Sequence, residues 1–93
     1  MAASTARVPT AHAEKYLKQL CKHWSHKLDV ELAETTGTVR FSQAVANMAA
    51  GEDSLIVTIE AEEHDVLERM KGVVASHLDR FAFREAPLTF NWS

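Results

Sequence analysis

The spacing of hydrophobic positions switches between two and about 3.6 residues along this chain, and each switch marks an element. Residues 4–8 alternate and stop at Pro9. That predicts a short strand, either at a sheet edge or ending there, because proline has no N–H to give to a ladder. Thr10 has the chemistry of a helix N-cap. Ala13, Leu17, Leu20 and Trp24 then recur at helical spacing, with Tyr16 and Cys21 beside them and Lys15, Lys18 and Lys22 opposite, which predicts a helix to about Ser25. Leu28, Val30 and Leu32 return to a period of two over residues 28–33, Glu34 to Gly37 reads as a turn, and Val39 and Phe41 point inward on the next strand with Arg40 outward. Ala44, Ala46, Met48 and Ala50 share one face of a third strand. Alanine favours helix, but the turn residues Gly51, Glu52 and Asp53 that follow favour the strand. Residues 54–60 are the clearest strand in the chain.

A second helix is expected from Ala61 or Glu62, with Glu62, Glu63 and Asp65 in its first turn, where the helix dipole favours acids. Its apolar stripe reads Val66, Met70, Val73, Val74, His77 and Phe81. Gly72 interrupts it at a cost of about 1 kcal/mol relative to alanine, which makes it a candidate for close approach to another element. Pro87 precedes a last strand, in which Leu88, Phe90 and Trp92 alternate with Thr89 and Asn91. The order strand–helix–four strands–helix–strand predicts an α+β two-layer sandwich: an antiparallel sheet with both helices on one face. The outer sheet face, with Ile56 and Thr58 exposed, is then left to solvent or to a homodimer.

Composition narrows this picture. At 93 residues and 46% hydrophobic, residues 1–93 form one domain with a small core. The single cysteine, Cys21, excludes an internal disulfide and fits a reducing compartment. Met1 to Thr10 hold no apolar core of signal-peptide length, and no apolar run is long enough to span a membrane, so the expectation is a cytoplasmic protein without a membrane partner. The net charge of −3 is unevenly spread. Residues 1–27 carry five cations against Glu14, residues 28–68 carry ten acids against Arg40, and the remainder is weakly basic. An acidic chain without clustered Lys and Arg is not expected to bind nucleic acid.

The candidate chemistry is sparse. The glycines stand isolated at 37, 51 and 72, so there is no phosphate-cradling loop, and neither a nucleophile elbow nor a His-Glu-x-x-His helix occurs. No cofactor is implied, and a catalytic role lacks a recognisable set of residues. The string Cys21, His23, His26 invites a metal reading. At about 100° per residue, however, Cys21 and His23 fall on nearly opposite sides of a helix. His23 and His26 share a face and are the candidate metal pair, with further ligands needed from elsewhere; the alternative is a solvated basic face. Glu62-Glu63-His64-Asp65 reads as a solvated charge run. His77 lies within an apolar stripe, so its ring must find partners. It is either a structural histidine bonded to a backbone carbonyl, Tyr16 or Glu31, or one side of a crevice in which Arg80 and Arg84 offer bidentate donors to an anionic or chelating small molecule. Arg80 and Arg84 have their own alternative as helix-end charges paired with Asp79 or Glu85. An aromatic cluster with such histidines could also cradle haem, although core packing is the commoner use.

Two stretches resemble a known family. Residues 16–27 (Tyr16 to Lys27, including Cys21, His23, Trp24 and His26) and residues 73–85 (Val73 to Glu85, including His77, Asp79, Arg80 and Phe81) are similar to the two signatures of bacterial domain of unknown function 2218. The resemblance spans nearly the whole chain. Where that family's third strand reads Phe-Gly followed by a cysteine, Ala44 and Ala46 stand here, so a second thiol is missing. The resemblance implies an accessory role in iron or siderophore metabolism, beside a siderophore-interacting reductase, and it assigns no catalytic residue.

Overall fold

The computed structural model describes residues 2–82, 88 and 90–92. Its elements run β1 (Ala2–Pro9), α1 (Ala13–Trp24), β2 (Asp29–Leu32), β3 (Thr36–Arg40), β4 (Ala44–Ala50), β5 (Ser54–Ala61), α2 (His64–Phe81) and β6 (Asn91–Trp92). The strands form one antiparallel sheet in the order β2-β3-β4-β5-β1-β6. Both helices lie on one face, as the alternation of the strands requires. Ala6, Val8, Val39, Ala46, Met48, Leu55, Val57 and Ile59 turn toward the helices and are buried. No described helix is long and apolar enough to cross a membrane.

Register explains the alanine-rich β4. Ala46 lies between Val39 on β3 and Ile59 on β5, directly under the helical layer. Small side chains at the centre of the inner face let α1 come close, and tertiary packing overrides alanine's preference for helix. Gly37 serves the same end. It sits inside β3 rather than in the preceding turn, and a Cβ built on it would lie 2.6 Å from Cys21 Sγ and 3.0 Å from Leu17 Cδ1. The glycine is there because α1 presses its thiol onto the strand, not because a turn needs a permissive backbone.

Several element details depart from the expectation. Thr10 does not cap α1: the N-cap position is His12, whose N–H donates to Thr10 Oγ1 at 3.1 Å, while the Thr10 N–H reaches Asp53 O at 3.0 Å. Pro9 ends β1, but β1 is an interior strand, flanked by β5 and β6. Glu62 and Glu63 precede α2, which begins at His64, so only Asp65 interacts with the first turn as an acid. Gly72 approaches nothing: a Cβ there would meet no atom within 4 Å. Leu32 faces inward beside Gly37 but lies on the edge strand and is 48% exposed rather than buried. Ile56 and Thr58 are half-buried on the outer face. There Thr5 and Thr58 share a hydrogen bond of 3.1 Å and Thr38 donates to Asn47 Oδ1 at 2.8 Å, so a row of short polar side chains runs across the sheet.

The largest departure concerns α2. Its core-facing residues are Leu67, Met70, Val74 and Leu78. Val66, Val73 and His77, expected at the centre of the stripe, are only half-buried along the flank nearer α1. Leu67, Val74 and Leu78 span one narrow arc at 100° per residue, and Val73 and His77 lie roughly a quarter turn away. Apolar residue type alone does not fix which of two adjacent arcs of the helix meets the sheet. The opposite flank meets the returning chain, where Lys71 Nζ lies 5.5 Å from the Trp92 ring and Asp79 Oδ1 accepts the Leu88 N–H at 2.9 Å.

Candidate functional site

The rotation of α2 brings His77 to the seam between the helices. Its ring centroid lies 5.5 Å from that of His23 and 5.1 Å from that of Trp24, both on the last turn of α1. Phe81, one turn after His77, meets His23 edge-on at 5.7 Å. Trp24 is buried and packs edge-on against Phe41 at 5.0 Å, on the connection between β3 and β4. The helical stripes place these groups: His23 lies on the flank of α1 opposite Cys21, where His77 and Phe81 of α2 meet it while His23 itself stays exposed. A cluster of two imidazoles, an indole and two phenyl rings therefore closes one end of the two-helix layer.

The chemistry of His77 is set by its own helix. Nδ1 is 2.7 Å from Val73 O, and because a carbonyl can only accept, Nδ1 carries the proton in that bond. In the neutral ring this leaves Nε2 as a free lone pair. A ligand histidine commonly has this arrangement, with the non-ligating nitrogen tied to a backbone carbonyl. Two imidazoles sharing one ion through bonds of about 2.0–2.1 Å hold their centroids about 5 Å apart, close to the His23–His77 spacing. One turn before His23, the Gln19 side-chain oxygen is buried and takes no hydrogen bond from the described residues. A buried acceptor of this kind awaits a donor.

The other expected residues fall as follows. His26 lies in the turn after α1, outside the helix, so it does not share a helical face with His23; it is exposed. Arg80 is exposed in the last turn of α2, three residues beyond His77, and has no ion-pair partner among the described residues. Arg84 lies outside the described residues. Cys21 is buried against Gly37, and burial pushes its thiol above the ordinary range, which suits packing and not nucleophilic attack. No group of three or more His, Cys, Asp or Glu side chains among the described residues could hold a metal ion, and the 62–65 charge run is exposed. The structure thus pairs His23 with His77 rather than with His26. Sequence spacing could not show this, because the pairing joins positions 54 residues apart on two helices.

A family model described as an uncharacterized protein conserved in bacteria, DUF2218, matches residues 5–93. The solved structure titled as the NMR structure of PA4090 from Pseudomonas aeruginosa is similar at a TM-score of 0.85 and 35% identity, covering 100% of this chain and 96% of that one. None of the curated proteins searched matches this chain.

Proposed function

The chain belongs to the bacterial DUF2218 family, and from that premise we propose that it is a small binding module, not an enzyme, that holds a divalent transition-metal ion at the His23–His77 seam. One observation carries the reading: two imidazoles meet at 5.5 Å across two helices, and a backbone carbonyl fixes the tautomer of one of them. Imidazole suits zinc, copper, nickel and ferrous iron. Two protein ligands leave the remaining coordination positions to a chelator or a partner, so the ion is carried and not caged. We place this module, as part of the same proposal, in an accessory role in iron or siderophore metabolism. A reductase acting on ferric chelates yields ferrous iron, which imidazole accepts, and the exposed Arg80 could meet an anionic group of the chelator.

Calorimetric titration of metal-free protein with zinc, nickel and anaerobic ferrous iron tests this reading. One ion per chain is expected, with the affinity lost in both His23→Ala and His77→Ala. Full binding retained by both variants would overturn it. A His77→Ala protein that melts several degrees lower and still binds metal would make His77 structural.

A further inference from the structure

The β3–β4 hairpin and the first turns of α2 enclose a pocket that includes neither His23 nor His77. The hairpin turn is closed by the Phe41 N–H, which donates to Ala44 O at 2.8 Å, and the register Asp29↔Arg40 sets Leu28 beside Phe41. Leu28, Phe41 and Ala44 form the sheet side of the pocket, Val66 and Met70 form its helix side, and its volume is about 210 Å³. Leu28, Phe41 and Val66 are only half-buried against the core, and the short side chain of Ala44 leaves the space between them unfilled. Arg69 and Gln43, both exposed, complete the lining. Asp65 stands one turn before Arg69 on the same helix, in the spacing that favours an ion pair. The guanidinium turns instead to the hairpin, where it donates to Gln43 Oε1 at 3.4 Å. That contact is long for a hydrogen bond, and Arg69 has no ion-pair partner among the described residues.

We propose that this pocket binds a small aryl monocarboxylate, with its ring between Phe41 and Met70 and its carboxylate on Arg69. Three features select that class. The volume lies below the roughly 300–1,000 Å³ of a drug-sized site, so the occupant is a single ring with a short acidic arm and not a peptide or a haem. A phenyl ring and a thioether face the space, and both make favourable contacts with an aromatic guest. The guanidinium presents a planar fork that matches a carboxylate through two parallel hydrogen bonds, and the long Gln43 contact is easily exchanged for them. Charge then sets the limit. Glu60 and Glu62 line the hollow next to Gln43, and Asp65 lies a turn away on α2, so a dianion such as a phosphate brings a second negative charge toward acids that no further cation of the pocket answers.

The probe is phenylacetate, titrated into the full chain carrying methyl-labelled methionine and followed by methyl and amide NMR. Saturable binding in the millimolar range or tighter is expected, as befits so small a ligand, with shifts centred on Met70, Phe41 and Val66. Neutral phenylacetamide should bind about tenfold more weakly. Arg69→Gln should weaken phenylacetate by a similar factor and leave phenylacetamide unchanged, and because Arg69 is exposed its melting temperature should match the parent. Val66→Phe grows into the pocket from a half-buried helix position and should abolish binding of both. Phenylethylamine or phenyl phosphate bound as tightly as phenylacetate would overturn the proposal. So would an Arg69→Gln loss shared by the amide, full binding in Val66→Phe, shifts centred on Leu32 or His77, or no saturation at tens of millimolar ligand.

Discussion

On one flank of α1, His23 and Trp24 meet His77, Phe81 and Phe41 in a continuous set of ring contacts. On the other flank, Lys18, Lys22 and Ser25 stand over Val30 and Leu32 with an open groove between. One helix thus has a side where side chains are closed against a second element and a side where they are not. The difference comes from where the helices sit. α1 is set over β3 by the Cys21–Gly37 contact, so α2 fills the space over β5, β1 and β4 while α1 covers β3 and β2 and leaves Leu32 part-exposed at the sheet edge. The closed side should carry stability, and the open side should tolerate substitution.

Removing a ring from the closed side should have the largest effect. Trp24→Ala is expected to cost about 3–5 kcal/mol, read as a shift in the urea midpoint. A loss under 1 kcal/mol would mean the seam is not closed in solution. Next is Gly37→Ala, which adds a Cβ where Cys21 Sγ already sits. Overpacking of this kind costs about 1–3 kcal/mol, and a neutral result would show that α1 can shift along the sheet.

The Cys21 thiol sharpens the same point by pH. Burial raises its folded pKa above the ordinary thiol value, so the neutral thiol is the form that folding favours. Its contribution is fully present below the unfolded pKa and declines as pH rises through the folded one. Stability should therefore fall on the alkaline side, and less steeply in Cys21→Ala. Alkylation of Cys21 should track global unfolding; rapid labelling of native protein would contradict its burial.

Smaller effects mark the open surfaces. Gly72→Ala fills empty space on an exposed helix position and should stabilise by about 0.5–1 kcal/mol. Leu32→Ala should change stability by less than about 0.5 kcal/mol, as surface substitutions do. A larger loss there would mean that the groove is packed in solution and would erase the contrast between the two flanks.

Much of the fold was legible because it follows from local rules. Alternation in β5 and β1, the apolar stripe of α1 and the turn at Gly51 each report a neighbour-to-neighbour periodicity, and together they determined the element order and the side on which the helices pack. The alanine strand was legible only through the turn after it. Other features were not legible. Gly37 resembles a turn residue until α1 is seen above it, and Gly72 resembles a contact point until the space around it is seen to be empty. The buried arc of α2 runs through Leu67 and Leu78 instead of Val73 and His77. A count of apolar residues cannot tell which of two adjacent arcs meets the sheet, because the choice depends on the neighbouring helix.

Sequence by itself therefore determined the composition of each element, the one-sided sheet and the separation of Cys21 from His23 around α1, all consequences of backbone period. Tertiary structure alone decided that His23 meets His77, that Trp24 closes the seam, and that Leu32 is left uncovered at the sheet edge. Those outcomes rest on where one helix lands relative to another. Residues far apart in the chain set that placement, through close contacts such as Cys21 on Gly37.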